Sequence, residues 1–463
     1  MSAYAEALAA IESRGRFGIR LGLGRVRALL REMGDPQVGV RGALVAGTNG
    51  KGSVIALAGS ALRAAGYRVG ETPKPHLVTY RERIVVNGRP IDPDEFARLV
   101  GEVLPLADRV SRRRGQLTEF ELLTAVMFRH FAEVDLDVAL VEVGLGGRLD
   151  ATNAWDGGVA VLTNVGLDHT AQLGPTVGAI AREKAAIVKR GDLAVTGTDG
   201  EALAILGRRC SRLGVPLAVA APAPILGWTR DLLRVELPRL GAVDVGLRGR
   251  HQAANVAVAD GLLDALEAAG IATVPAEARR RGYAVARWPG RLELVDVPVV
   301  ASSLSGGADS SREILLDGAH NPDGAAALAQ ALEDLRPYLA GGRAVPPAPL
   351  TLVWASMEDK DVKGVVGELC ASPALDAATI VCTAVDLPRA MAPGALAAAW
   401  RTGAAAAGRT ITVRVAMTPD EALDGVLAEG PPSGVGPVVV GGSLYLVGAA
   451  RARLVDDPSL RDP

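Results

Sequence analysis

Aromatic side chains make up only 3% of this chain, with 5 histidines and 3 cysteines, and each scarcity narrows what the protein can be. Cys210, Cys370 and Cys382 form an odd set without a C-x-x-C pair. That excludes a disulfide framework and a cysteine zinc site, and leaves small core residues suited to a reducing compartment. An excess of one charge is missing too: 50 Lys+Arg face 52 Asp+Glu, for a net charge of -2. No global basic field exists to attract nucleic acid, and Arg112-Arg113-Arg114, the only tight basic cluster, reads as a solvated helix end. Long apolar runs are also lacking. Glu6, Glu12 and Arg14 interrupt the start, as a signal peptide's hydrophobic region would not tolerate. The stretch Val215 to Trp228 carries Pro216, Pro222 and Pro224 and is too short to span a bilayer as a helix. A soluble, cytoplasmic protein is the expectation, with no membrane and no nucleic-acid partner.

At 463 residues the chain exceeds what one core usually serves, so two domains are expected. Apolar runs of strand length recur at 43–46, 138–143, 159–162, 314–316, 350–354, 379–382, 412–415 and 438–440. Helical periodicity at 54–65, 94–112, 119–132, 177–188, 252–268, 322–334 and 419–427 separates them. This alternation predicts α/β units built on largely parallel sheets. Segments 232–237 and 243–247 flank Pro238 to Gly241 and predict a hairpin at the first domain's edge. Trp288-Pro289-Gly290 marks the boundary, giving domains 1–288 and 289–463. Gly/Ser-rich 301–311 and Gly/Pro-rich 340–349 read as surface loops.

The most informative segment is Ala43-Leu44-Val45-Ala46-Gly47-Thr48-Asn49-Gly50-Lys51-Gly52-Ser53. An apolar strand breaks into a glycine-rich turn whose backbone N–H groups can converge on a phosphate, with a helix N-terminus adding its dipole. Lys51 would supply charge to the β/γ-phosphates and Ser53 a hydroxyl for Mg²⁺. Gly52 intervenes between lysine and serine, unlike the common phosphate loop. A second strand ends in Glu142, placed to serve either as a hard oxygen ligand for Mg²⁺ or as a cap on the Gly144 to Asn153 loop. A third leads into Asp168-His169. Lys184 lies amid small apolar residues on a helix. It is either an ordinary snorkelling lysine or a desolvated amine able to take up CO₂ as a carbamate.

These pieces occur in order with Gly249-Arg250-His251-Gln252-x-x-Asn255, Pro289-Gly290-Arg291, Asp317-Gly318-Ala319-His320-Asn321-Pro322 and Gly442-Ser443-Leu444-Tyr445. From about Gly22 to Ala450 the chain strongly resembles the bacterial folylpolyglutamate synthase/dihydrofolate synthase family of the ATP-dependent Mur ligase superfamily. The resemblance implies an N-terminal P-loop ATPase-like domain with a mainly parallel sheet and a C-terminal Rossmann-like domain. It implies ATP-driven addition of L-glutamate to a folate or dihydropteroate carboxylate through an acyl phosphate, with ATP and Mg²⁺ as cofactors and a monomeric state.

Carried over by motif, Thr48, Asn49, Gly50, Lys51, Gly52 and Ser53, with Asn255, Arg291 and Asp317, are expected to bind ATP. Ser53, Glu142 and His169 are the expected metal ligands, and Lys184 matches a carbamylated lysine. His320 and Ser443 are expected to position glutamate or the reacting carboxylate. Thr118, Phe120 and Glu121 resemble a segment beside the pterin, where Phe120 either stacks on the ring or belongs to the core.

One segment departs from the family. Where relatives commonly carry Thr-Ser-Pro-His, this chain has Pro73-Lys74-Pro75-His76. A charged lysine has no lone pair for a metal. Lys74, grouped with His76 on the substrate side, either brings its ammonium to the phosphates in place of one cation or faces solvent. Two other readings stay open. A different Mur-type ligase would carry an additional N-terminal domain ahead of the phosphate loop, and a non-catalytic nucleotide-binding regulator would tolerate loss of Glu142, His169 or Lys184.

Overall fold

The computed structural model describes residues 2–15, 20–298, 311–344, 347–428 and 436–463. Eight strands form the first sheet: β1 (Gly42–Ala46), β2 (Val69–Thr72), β3 (Val85–Val86), β4 (Arg89–Pro90), β5 (Val138–Glu142), β6 (Gly158–Leu162), β7 (Leu193–Thr196) and β8 (Leu217–Val219). Their spatial order is β4-β3-β2-β5-β1-β6-β7-β8. All pairs from β2 to β8 are parallel, and β3 and β4 are added antiparallel at one edge.

The apolar runs are continuous rather than alternating because both faces of this sheet are covered, as parallel sheets require. Leu44 and Ala46 of β1 pack on one side with Ala139 and Val141 of β5. Ala43 and Val45 pack on the other with Val138 and Leu140. Each fully buried Val or Leu of this kind contributes roughly 1.5–3 kcal/mol, so a charge inserted mid-strand would break the layer. β1 lies between β5 and β6, and the chain leaves all three at their carboxyl ends. That is where open α/β sheets form their ligand crevices.

A three-stranded antiparallel sheet follows: β9 (Ile225–Trp228), β10 (Leu233–Leu237) and β11 (Gly241–Val245), in the order β11-β10-β9. The expected hairpin is present, but it forms a sheet of its own with β9 instead of extending the first sheet. Its inward residues Leu233, Val235 and Leu237 pack with Val256 and Leu263 of the helix Gln252–Ala268. That helix, in turn, packs beside the helix Lys51–Ala64.

The second domain holds six strands: β12 (Glu293–Pro298), β13 (Ser311–Leu316), β14 (Thr351–Trp354), β15 (Thr379–Cys382), β16 (Thr412–Val415) and β17 (Val438–Gly441). Their order is β12-β13-β17-β14-β15-β16, parallel except for β12 against β13. The glycine-rich stretch 301–311 lies almost wholly outside the described residues. All three cysteines are free and buried, matching the core role expected of them. Among the described residues no helix is long and apolar enough to cross a membrane.

Candidate active site

The turn after β1 is held in shape by its neighbours. Gly47 has φ +157°, and a Cβ there would overlap the Thr163 hydroxyl. Gly50 has φ +80°, and a Cβ there would overlap the Asn255 side chain. Only glycine satisfies both constraints. The segment after β6 supplies the other restraints. Thr163 Oγ1 donates to the Asn49 carbonyl (2.6 Å), the Asn49 N–H donates to Asn164 Oδ1 (2.8 Å), and the Gly166 N–H donates to Thr48 Oγ1 (2.9 Å). Gly52 lies against the Trp288 indole, which leaves no room for a side chain.

Lys51 opens the helix Lys51–Ala64 and folds back over the turn. Its ammonium donates to the carbonyls of Gly47 and Thr48 (both 3.1 Å) and stands 3.9 Å from Glu142 Oε1. Ser53 Oγ accepts from Gln252 Nε2 (3.3 Å), whose Oε1 accepts from Asn255 Nδ2 (2.8 Å). Asn255, expected to contact the nucleotide, is linked through Gln252 to Ser53 at the start of the helix Lys51–Ala64.

Glu142, at the end of β5, is 4% exposed. Burial raises its pKa, while Lys51 and then Lys74 oppose that rise. Lys74 does not face solvent. Its N–H donates to Glu142 Oε2 (3.2 Å), its ammonium donates to the Glu142 carbonyl oxygen (2.6 Å), and that ammonium lies 4.3 Å from the centroid of the Phe120 ring. Burial lowers its pKa to about 8 against the pull of Asp150 and Glu142.

Lys184 is 5% exposed and donates to the Gly47 carbonyl (2.8 Å). Burial, with Lys51 adding to it, lowers its pKa to about 7. His169 adopts a left-handed conformation (φ 49°) ahead of a short helix, with Nε2 3.6 Å from Asp168 Oδ2. Burial lowers its pKa; Asp168 opposes this, and Lys360, Lys184 and Lys51 reinforce it. A neutral imidazole is the form that ligates metals. Among the described residues no group of three or more His, Cys, Asp or Glu side chains converges as a metal cluster. The donors at hand are one carboxylate, one hydroxyl and an imidazole. That set suits Mg²⁺ held through a single carboxylate and nucleotide phosphate oxygens.

On the other side of Glu142 a cavity of about 370 Å³ is lined by Leu21, Phe120, Glu121, Leu145, Leu149 and Asp150, among others. Thr118 caps the helix Glu119–Glu133 in a reciprocal box with Glu121. Glu121 is 2% exposed; its Oε2 accepts from Arg25 Nε (3.1 Å) and the Thr118 N–H (2.9 Å), while its Oε1 has no partner among the described residues. A buried carboxylate oxygen left bare beside a cavity calls for an N–H donor from a ligand. Asp150 shapes the cavity floor, accepting from the N–H groups of Gly144 and Leu145 through Oδ2 and from Thr152 through Oδ1. Neither Arg25 nor Asp150 was selected as a site residue. Asp150 lay within a quoted motif, whereas Arg25 carries no local signal and is found only through the fold. His76 turns away from the cavity, accepting from Arg83 Nε (2.8 Å) beside the Tyr80 ring.

The second domain faces this site. Asp317 accepts from the N–H groups of Leu292 and Ala319 (both 2.9 Å), and burial raises its pKa against Arg291. His320 is bonded through Nδ1 to the Gly318 carbonyl (2.7 Å). Burial lowers its pKa, with the charges of Lys360 and Arg291 adding to this and Asp168 opposing it. Ser443 is 3% exposed and its hydroxyl caps the helix Leu444–Leu454 by accepting from the Tyr445 N–H.

A family described as "Dihydrofolate synthetase, C-terminal domain" matches residues 302–452. The dihydrofolate synthase/folylpolyglutamate synthase of Bacillus subtilis (strain 168) is 35% identical over 378 residues, 80% of this chain and 83% of that one. The folylpolyglutamate synthase of Lacticaseibacillus casei is 32% identical over 469 residues, 98% of this chain and 100% of that one. Among solved structures, Mycobacterium tuberculosis folylpolyglutamate synthase complexed with ADP and AMPPCP superposes with a TM-score of 0.79 at 31% identity, covering 98% of this chain and 100% of that one.

Proposed function

The chain belongs to the dihydrofolate synthase/folylpolyglutamate synthase family, and from that premise we propose how its residues carry the family's reaction. It is an ATP-dependent ligase that joins L-glutamate to a folate or dihydropteroate carboxylate. The single observation that supports the residue assignment is the meeting of two half-sites at Glu142. The phosphate loop approaches it through Lys51, and the Phe120 cavity through Lys74.

The heterocycle of the acceptor enters the cavity against Phe120 and gives an N–H to the free oxygen of Glu121. Its carboxylate then points toward Glu142 and the phosphate loop. A carboxylate oxygen attacks the γ-phosphorus of ATP, the bond to the ADP oxygen breaks, and an acyl phosphate forms. Glutamate's amine attacks the acyl carbon, the amine loses a proton, and inorganic phosphate leaves. An acyl phosphate has the leaving group that a free carboxylate lacks.

Phosphoryl transfer depends mainly on alignment and charge neutralisation. The N–H groups of the phosphate loop and the Lys51 ammonium align and neutralise the triphosphate. Asn255, Arg291 and Asp317 hold the nucleotide between the domains, with Arg291 and Asp317 delivered by the second. Ser53, Glu142 and His169 are the residues that would hold Mg²⁺, which when bound supplies further positive charge to the phosphates. His320, from the facing domain, is placed to orient the incoming amine, and closure of the cleft keeps water from the acyl phosphate.

Purified protein incubated with ATP, L-glutamate and either dihydropteroate or a tetrahydrofolate tests the reading. ADP release that requires both partners, with a product heavier by one glutamyl residue, is expected. ADP release indifferent to the acceptor overturns it. A competition between the two acceptors in the same assay assigns the preferred one.

A further inference from the structure

Lysine is rare in this chain. It occurs only at Lys51, Lys74, Lys184, Lys189, Lys360 and Lys363, and arginine carries positive charge everywhere else. Three of these lysines converge. Lys51 and Lys74 flank Glu142, and Lys184 donates to the same Gly47 carbonyl as Lys51. A compact ammonium on a flexible stem binds an oxyanion as a point charge, whereas guanidinium binds as a planar fork. Selective placement of lysine fits a site that must follow a moving phosphoryl group.

Lys74 differs from the other two in its neighbours. Among the described residues its ammonium has one hydrogen-bond acceptor, the Glu142 carbonyl oxygen, and it rests on the face of Phe120, a ring that lines the cavity. An ammonium has three donors, so donors remain for a ligand. Its own N–H meanwhile engages Glu142 Oε2. Lys51 stands on the other carboxylate oxygen, so Glu142 is approached by one ammonium at its carboxylate and by a second at its backbone carbonyl.

We propose that Lys74 is a catalytic residue that receives the acceptor's carboxylate and carries it to the γ-phosphoryl group, so that a protein ammonium takes the place of a second divalent cation. The inference rests on the ligase reading above. Its consequence is a stoichiometry: the ternary complex holds a single divalent ion. Lys51 serves the nucleotide and Lys74 the acceptor, and both ammonium groups meet at Glu142.

The experiment is a Mn²⁺ titration of the full chain with saturating AMPPCP and dihydropteroate, read by electron paramagnetic resonance, for the wild type and Lys74→Ser. A single bound Mn²⁺ in the wild type is expected, with a second appearing in Lys74→Ser, where a hydroxyl replaces the ammonium. Two Mn²⁺ ions in the wild type overturn the proposal without recourse to any variant. Kinetics of Lys74→Met give the second readout. A fall in kcat of about a hundredfold is expected, the scale for losing one charge-stabilising donor, with AMPPCP affinity unchanged. Wild-type kcat and acceptor KM in Lys74→Met overturn the proposal while leaving the ligase reading intact. A wild type that binds AMPPCP and forms no amide overturns both.

Discussion

The ammonium of Lys184 donates to the carbonyl oxygen of Gly47 at 2.8 Å, tying the helix Val177–Ala185 to the first glycine of the phosphate loop. Burial and the nearby Lys51 charge bring its pKa from 10.5 to about 7. The sign follows directly: below pH 7 the protonated form dominates, and above it the free amine does. Only the free amine adds CO₂, forming an N–C bond and releasing a proton. A carbamate resonance in ¹³C-bicarbonate spectra should therefore grow between pH 6 and pH 8 and vanish in Lys184→Arg. A carbamate is an anion, and the Lys51 ammonium donates to the same Gly47 carbonyl as Lys184. A signal that does not change with pH, or that persists in the variant, would refute carbamylation at this position.

Lys51→Ala removes the charge beside the phosphates, two bonds to the loop and the partner of Glu142. Turnover should fall by at least about a thousandfold, in line with the loss of other cationic groups from phosphoryl-transfer sites. Nucleotide affinity, measured by calorimetry with AMPPCP, should fall with it. Near-normal kcat would remove Lys51 from the mechanism. A denaturation midpoint close to the wild type's separates this loss from unfolding.

Glu121 combines two duties that one substitution can separate. Its Oε2 anchors Arg25 and closes the capping box, and its buried Oε1 has no partner among the described residues. Glu121→Gln retains one acceptor oxygen for the structural bonds and turns the other group into a donor. A ligand N–H then meets an N–H. Acceptor KM should rise about tenfold or more, corresponding to roughly 1.4 kcal/mol, while the KM for ATP stays fixed. Equal effects on both constants would place Glu121 outside the acceptor site. Glu121→Ala, in contrast, should lower stability by about 1 kcal/mol through loss of the cap.

These outcomes depend on features that differ in how openly the sequence displays them. Strands buried on both faces appear as unbroken apolar runs, so β1, β5, β15 and β17 were legible to within a residue or two. β2, β3 and β4 were not, because short pieces such as Val85–Val86 have no periodicity to detect. The separate sheet of β9, β10 and β11 escaped notice for another reason. Its hairpin is local, but its detachment from the first sheet depends on packing against the helix Gln252–Ala268. The same contrast holds in the site. Glu142 ends β5, and Lys51 and His169 lie in the segments that follow β1 and β6, where position in the chain indicates position in space. Arg25 reaches Glu121 from 96 residues away, and no local pattern reports such a contact. For Lys74 the sequence left two orientations open, and its contacts with Phe120 and the Glu142 carbonyl exclude the solvent-facing one.

His76 supplies a stability test independent of catalysis. Burial, with the Arg83 charge adding to it, drives its pKa from 6.5 down to about 3, and its Nδ1 accepts from Arg83 Nε at 2.8 Å. The folded state therefore keeps the ring neutral where the unfolded chain binds a proton. This contribution is fully present above pH 6.5 and is lost as pH falls toward 3, at a rate of up to about 1.4 kcal/mol per pH unit. His76→Gln keeps an acceptor for Arg83 but cannot titrate. Urea unfolding at pH 7 and pH 5 should show a smaller loss of stability for the variant than for the wild type. Equal losses in the two proteins would mean that the imidazole takes up its proton as readily folded as unfolded, contrary to its close contact with Arg83.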